Sequence, residues 1–243
     1  LEASSAASDV YKRQRLSLKG LIKSIGSGSN SIGKTLQSEL EIQHSTTSRN
    51  SYKGFTITAT STKVNRTNLF AKVPNWDRSE VKSSKEMLDL YGRDDPSGKY
   101  KKKLFCSVNS LDFNNFGLRL FVDMSKGVLY EKYSMGNQDR NVALWENEGL
   151  VQKLSSLDKT VVVSGNSFKR EDGNYFHFRF AEFMVGPSME KFLQLIDYGA
   201  ITMDHLISMK AGSKNVREQG PLFKIANCLL CTSDAADDAS SVD

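Results

Sequence analysis

The sequence predicts a mixed α/β fold, on three observations. Residues 55–59 alternate, with Phe55, Ile57 and Ala59 on one face and Thr56, Thr58 and Thr60 on the other. β-Branched and aromatic residues dominate there, so a half-buried strand follows. A helical stretch precedes this strand, and residues 188–198 carry a second one whose stripe is Met189, Phe192, Leu193 and Ile196. Between them, short strand patterns and helical patterns interleave without an internal repeat, which suits an α/β sandwich.

In chain order, residues 15–25 read as a Lys-punctuated helix, 26–30 as a Gly/Ser loop and 32–42 as a helix. After a polar loop, Lys53-Gly54 turns the chain into the 55–60 strand, and residues 67–72 form the next strand, ended by Pro74. Residues 80–91 read as a helix and 92–98 as turns. Lys99 and Lys101 to Lys103 lead into a strand at 104–108, and 117–123 with 127–133 form a hairpin. A helix is expected at 145–157, strands at 159–164 and 174–180, then the 188–198 helix. A strand at 201–209, a Gly/Lys/Arg loop at 211–219 and a strand at 222–225 complete the reading.

The chain has 243 residues, 39% hydrophobic and 25% charged, enough for one or two packed lobes. No apolar run approaches the ~20 residues of a membrane span, and residues 1–14 lack a signal peptide's apolar core. The ends read as scars. Asp9-Val10-Tyr11-Lys12-Arg13-Gln14 back-translates to GATGTGTATAAGAGACAG. The reverse complement, with its flanking base, reads Cys-Leu-Leu-Tyr-Thr-Ser, one base change from the run Cys228-Leu229-Leu230-Cys231-Thr232-Ser233. One oligonucleotide in opposite orientations, as from a transposon sequencing adaptor, accounts for both. Residues 1–14 and 228–243 are therefore set aside, and the gene is expected to continue at one or both ends. The C-terminal segment carries Asp234, Asp237, Asp238 and Asp243, and the N-terminal one is neutral, so the net charge of +5 becomes +9 for residues 15–227. That balance suits a polyanion, although a membrane surface or an acidic protein would satisfy charge alone. Without Cys228 and Cys231, Cys106 stands alone as a small core residue, and a reducing, cytoplasmic setting is expected.

Several motifs in register then point further. Ser31-Ile32-Gly33-Lys34-Thr35-Leu36-Gln37-Ser38-Glu39-Leu40, the strand from Ser51 to Thr58, and Leu69-Phe70-Ala71-Lys72-Val73-Pro74 resemble the MvaI/BcnI-type restriction endonucleases. That family reads G-I-G-K-T-x-E-x-L-L, then P-D-x-x-x-I-E-I-K, then L-F-T-K-x-P. Met87-Leu88-Asp89-Leu90-Tyr91-Gly92 also matches. Gly220-Pro221-Leu222-Phe223-Lys224-Ile225 resembles the family's H-D-H-G-T-x-F-R-I, with Arg217-Glu218-Gln219 in place of H-D-H. The likeness runs from about Leu16 to Ile225. It implies a restriction-endonuclease-like mixed central sheet flanked by helices, with a catalytic-type lobe at about 15–110 and a DNA-reading lobe at about 111–227.

The resemblance implies Mg²⁺-dependent phosphodiester hydrolysis at a short duplex site. Carboxylates hold the hard cation, which polarises the phosphoryl oxygen, and a Lys handles the attacking water. The four family positions fall on Gln37, Ser51, Thr56 and Thr58, all substituted. An amide and three hydroxyls are far weaker magnesium ligands than carboxylates. No Asp or Glu occurs between Gln43 and Trp76. The expectation is therefore a duplex DNA-binding protein with its metal site lost and no cofactor in this chain. Its implied partners are double-stranded DNA and an active endonuclease subunit or methyltransferase system, with no membrane. Contacts are expected from Lys53, Lys63 and Arg66 beside the altered strand, and from Lys210, Lys214, Arg217, Gln219 and Lys224 in the loop the family uses on DNA. Arg and Gln suit base edges and Lys suits phosphate; an ordinary solvated charge is the other reading of each.

Two alternatives stay open. A migrated Mg²⁺ site could use Glu39 or Glu41 with Lys53, against the reading of both acids as solvated helix residues. Gly28-Ser29-Asn30-Ser31-Ile32-Gly33-Lys34-Thr35 fits G-x-x-x-x-G-K-[ST], a nucleotide hydrolase's phosphate loop, with residues 118–123 as the apolar strand ending in its second Mg²⁺ ligand, Asp123. That motif needs a buried parallel strand directly before Gly28, and Lys23 interrupts the one available. His44, His177 and His205 lack metal-ligand spacing, and Asp204 beside His205 faces the other way on a strand.

Overall fold

The computed structural model describes residues 16–28, 30–42, 51–52, 54–136 and 138–227. His44, Lys53 and the two end segments lie outside the described residues. The chain forms two compact units. The first takes the chain up to Asn65 and returns for Leu157–Gly186; the second holds Arg66–Ser156 and the chain from Pro187. The chain thus passes between units three times, rather than once near residue 110 as the sequence suggests. Long-range strand pairing, invisible to a linear reading, causes this: the partner of the 55–60 strand comes from beyond residue 157.

The first unit is a five-stranded sheet with one helix on it. Its strands are β1 (Ile22–Lys23), β2 (Ser51–Tyr52), β3 (Phe55–Ser61), β10 (Thr160–Arg170) and β11 (Gly173–Met184), in the order β1-β11-β10-β3-β2. β10 runs parallel to β3, and the other pairs are antiparallel. Helix α1 (Ser31–Glu39) packs Ile32 and Leu36 against Phe55, Ile57, Ala59, Val161, Val163, Phe176 and Phe178. The 15–25 helix is a correction: among the described residues of that span, helix covers 16–18, Gly20 at φ +69° ends the turn, and Ile22–Lys23 joins the sheet edge.

The second unit has two sheets. β4 (Arg66–Ala71), β14 (Leu222–Ala226), β12 (Ile201–Lys210), β6 (Tyr100–Val108) and β5 (Arg93–Asp94) lie in the order β4-β14-β12-β6-β5, with β13 (Val216–Glu218) also on β12. β7 (Leu118–Asp123), β8 (Val128–Met135) and β9 (Gln138–Trp145) form a three-stranded meander. The sequence reading finds β7 and β8 but misses β9, whose polar opening residues mask its Val142-Ala143-Leu144-Trp145 end. Helices α2 (Ser84–Tyr91), α3 (Asn147–Ser155) and α4 (Met189–Asp197) complete the unit. α2 starts later than expected because Ser83 caps it, accepting from the Glu86 N–H. Trp145, Phe223, Phe70 and Phe192 form an aromatic core, with centroids 5.3–6.0 Å apart. The Trp145 indole N–H donates to the Lys72 carbonyl at 2.8 Å.

One feature of this core has no counterpart in the sequence reading. His205 on β12 and Glu131 on β8 are completely buried and bonded at 2.8 Å, tying the two sheets together. Burial pulls the His205 pKa down, but the Glu131 charge and hydrogen bond outweigh it, and the net shift is upward. Cys106 sits directly across from His205, and burial pushes its thiol up to about 12, as a core cysteine rather than a nucleophile. Among the described residues, no helix is long and apolar enough to cross a membrane.

Candidate nucleic-acid interface

In the first unit, β2 folds back on β3 through Gly54, whose φ of +84° favours glycine. Ser51 therefore lies directly across from Thr56. Thr160 of β10 pairs with Thr56 and Val162 with Thr58; β11 extends these rows with Met184 and Glu182. Alternate strand residues face opposite ways. Phe55, Ile57 and Ala59 take the helix-covered face, so Thr56, Thr58 and Glu182 share the other. Glu182 stands two strands from Thr58, ~9–10 Å between Cα atoms. It is the carboxylate that sequence reasoning missed, since only sheet register brings it there.

The alternative of a migrated site fares differently. Glu39 is held by Lys19 at 2.6 Å, and Glu41 follows α1 in a left-handed turn at φ +57°. Their helix packs on the face opposite Thr56 and Thr58. Gln37 lies on the same helix, half-buried. Among the described residues, no three His, Cys, Asp or Glu are grouped to hold a metal ion. The donors at the four positions, an amide and three hydroxyls, do not fit a magnesium site's demand for carboxylate oxygens.

The phosphate-loop alternative is corrected by the fold. The strand before Gly28 is β1, two residues long, antiparallel and at the sheet edge. The Thr35 hydroxyl, which such a loop turns to a cation, instead donates to the Ser31 carbonyl at 2.8 Å and accepts the Ile25 N–H at 2.9 Å. Residues 118–123 belong to the separate meander, where Asp123 accepts from Ser125 at 2.6 Å.

The basic residues cluster in the second unit. One face of its larger sheet buries Met203, His205, Ile207 and Phe223. The opposite face carries Thr202, Asp204, Leu206 and Ser208 of β12 with their cross-strand partners. There Arg66 donates to Thr202 Oγ1 at 2.6 Å, Asp204 Oδ1 at 3.0 Å and Ser107 Oγ at 3.1 Å. Lys224 pairs with the second Asp204 oxygen at 2.6 Å. Two cations on one carboxylate leave a net positive site. Burial pushes the Asp204 pKa up, but Lys224, Ser107 and Arg66 together bring it below the usual value. Six residues along, Arg217 faces Ser208, which pairs with Lys103 and then Arg93. The strip from Thr202 to Ser208 is ~20 Å long, about six base steps at ~3.4 Å each.

Lys210, Lys214, Arg217 and Gln219 are all exposed where β12 turns into β13 and β14, a turn closed by Ser213 N–H to the Lys210 carbonyl at 3.1 Å. The fold thus brings Arg66, Lys224 and Arg217 to one sheet face and Lys210, Lys214 and Gln219 to its adjoining turn. Lys63 is exposed in the turn after β3, in the first unit, whereas Thr202, Asp204 and Ser107, which Arg66 bonds, are in the second. Sequence reasoning missed Asp204 and Ser107 as the residues that orient Arg66. Lys103 is occupied by Asp95 at 2.7 Å, and its charge leads the bonds that hold the Asp95 carboxyl well below the usual range.

The family model described as the MvaI/BcnI restriction endonuclease family matches residues 10–230, taking in every described residue. Among solved structures, the chain is similar to "Restriction endonuclease MvaI-cognate DNA substrate complex", at 20% identity and TM-score 0.71, covering 90% of this chain and 92% of that one. It is also similar to "Restriction endonuclease MvaI in the absence of DNA", at 18% identity and TM-score 0.51, with 89% of each chain covered. A comparison with curated proteins gave no match.

Proposed function

The chain belongs to the MvaI/BcnI restriction endonuclease family, and from that premise we propose that it binds duplex DNA and has given up the family's metal-dependent cut. The observation that carries the reading is a contrast within the one chain. The Arg66–Asp204–Lys224 face is built and oriented for a polyanion, whereas all four family metal-site positions are neutral. The relative solved with its cognate DNA supports a duplex as the ligand.

Binding then rests on phosphate neutralisation. Arg66 and Lys224 present charge held in place by Asp204; Lys210, Lys214 and Arg217 add exposed charges for phosphate; Arg217 and Gln219 also carry groups able to read base edges. With about five phosphate contacts, log Kobs falls with log salt at a slope of about −4 to −5. Fluorescence anisotropy of a labelled duplex across salt concentrations tests this, and a flat response sinks it. A second reading has one observation in its favour, Glu182 on the face of Thr58. Divalent-dependent cleavage that Glu182→Gln abolishes would replace a binding protein with a rearranged nuclease.

A further inference from the structure

The threonine face of the first unit continues past Thr58 into a different surface. The next rows are Thr60, Ser164 and Phe180; then Thr62, Asn166 and His177; then Phe168, Tyr175 and Lys23. Thr62 bonds Asn166, and the Thr62 N–H donates to the Gly165 carbonyl at 3.1 Å, so the rows stay in register beyond the end of β3. Phe180 is 55% and Phe168 42% exposed, although both sit within strands rather than on a loop. A register shift at Ser164/Gly165 inserts Arg179 next to Phe180, with its guanidinium 5.4 Å from the ring centroid. Arg170 stands 5.4 Å from the Tyr175 ring centroid. Lys63 is exposed at the same end as Thr62. Asp172 is engaged by Lys23 at 3.1 Å and the Tyr175 hydroxyl at 2.6 Å, so its charge is already offset.

We propose that this face binds unpaired, single-stranded nucleic acid, with bases stacked on Phe180, Phe168 and Tyr175 and phosphates held by Arg170, Arg179 and Lys63. Three features select that ligand. Exposed rings beside guanidinium groups suit bases, which have a π face, and phosphates, which carry charge. A duplex buries its base faces, so rings offer it nothing, and the polar rows between the rings break up any apolar patch that a protein partner would cover. The two ring-bearing rows are ~13 Å apart along the strands, about four times the ~3.4 Å step of stacked bases, so bases seated on them have left their neighbours. The surface is built from the first unit alone and is separate from the duplex-binding residues of the second.

The test uses the full chain, a labelled 12-mer of oligo(dT) and, separately, a labelled duplex. The expected result is oligo(dT) binding that the double variant Phe168→Ala, Phe180→Ala weakens about tenfold or more, while duplex affinity holds within about twofold. Phe180→Trp, which keeps a stacking surface, retains oligo(dT) binding. The proposal is overturned if the intact chain fails to bind oligo(dT), if the double variant binds it equally well, or if the variant loses both ligands to the same extent. Absence of duplex binding by the intact chain, with oligo(dT) bound and that binding weakened in the double variant, would count against the duplex reading and leave this one standing.

Discussion

Two sheet faces of this protein differ in what their side chains carry. On β2 and β3, Ser51 lies across from Thr56, two residues before Thr58, and none of the three carries a charge. On β12, Asp204 keeps its charge and uses it to aim Arg66 and Lys224. The comparison teaches that backbone geometry and side-chain chemistry are separable. A strand holds its place through Phe55, Ile57 and Ala59 on its core face, whatever its other face bears. The charged face has no such freedom, since removing one ion from a bonded cluster strands the others.

The largest effect should come from the frame beneath the charged face. Glu131→Ala leaves His205 buried without its partner and is expected to lower unfolding stability by about 3–5 kcal/mol in urea titration. The sign of the pH effect follows from the raised His205 pKa. The stabilisation is fully present below the unfolded value near ~6.5 and is lost as pH rises through the folded value. A wild-type stability curve flat from pH 6 upward would contradict the pairing.

Next is Asp204→Asn, expected to cost about 2 kcal/mol because Arg66 and Lys224 lose their shared carboxylate. Duplex affinity at low salt should rise, since a negative charge leaves the interface. Asp204 has a lowered folded pKa. Its contribution is present above the unfolded value of about 3.9 and is lost as pH falls through the folded one. The variant should therefore lose less stability than wild type on acidification below ~pH 4. Arg217→Ala should be gentler, reducing the salt slope by about one with little change in stability. A variant with an unchanged slope removes Arg217 from the interface. The smallest effect is expected on the other face: Thr56→Val with Thr58→Val should leave duplex binding within about 0.5 kcal/mol. A larger loss would show the altered strand still contacts DNA.

The mixed α/β class was legible because alternation at residues 55–60 and the stripe at Met189, Phe192, Leu193 and Ile196 are local signals. The family was legible because several short motifs fall in order. Neither signal reports which strands become neighbours. That is why Glu182 was invisible beside Thr58, why the two units interleave, and why residues 22–23 read as helix before their pairing with Tyr175 and Phe176 was known. The basic loop was legible as residue types, but Asp204 looked like a mere neighbour of His205. Alternation puts them on opposite faces, where one orients Arg66 and Lys224 and the other secures the core. Nothing in the sequence marks the Glu131–His205 pair, whose members lie 74 positions apart.

The most direct measurement is the state of supercoiled plasmid after incubation with purified protein and Mg²⁺ or Mn²⁺, deproteinised and run on a gel. This account predicts intact supercoiled DNA under conditions where the same preparation retains a labelled duplex. Nicked or linear product that appears only with the divalent ion, and only with this chain, would contradict it.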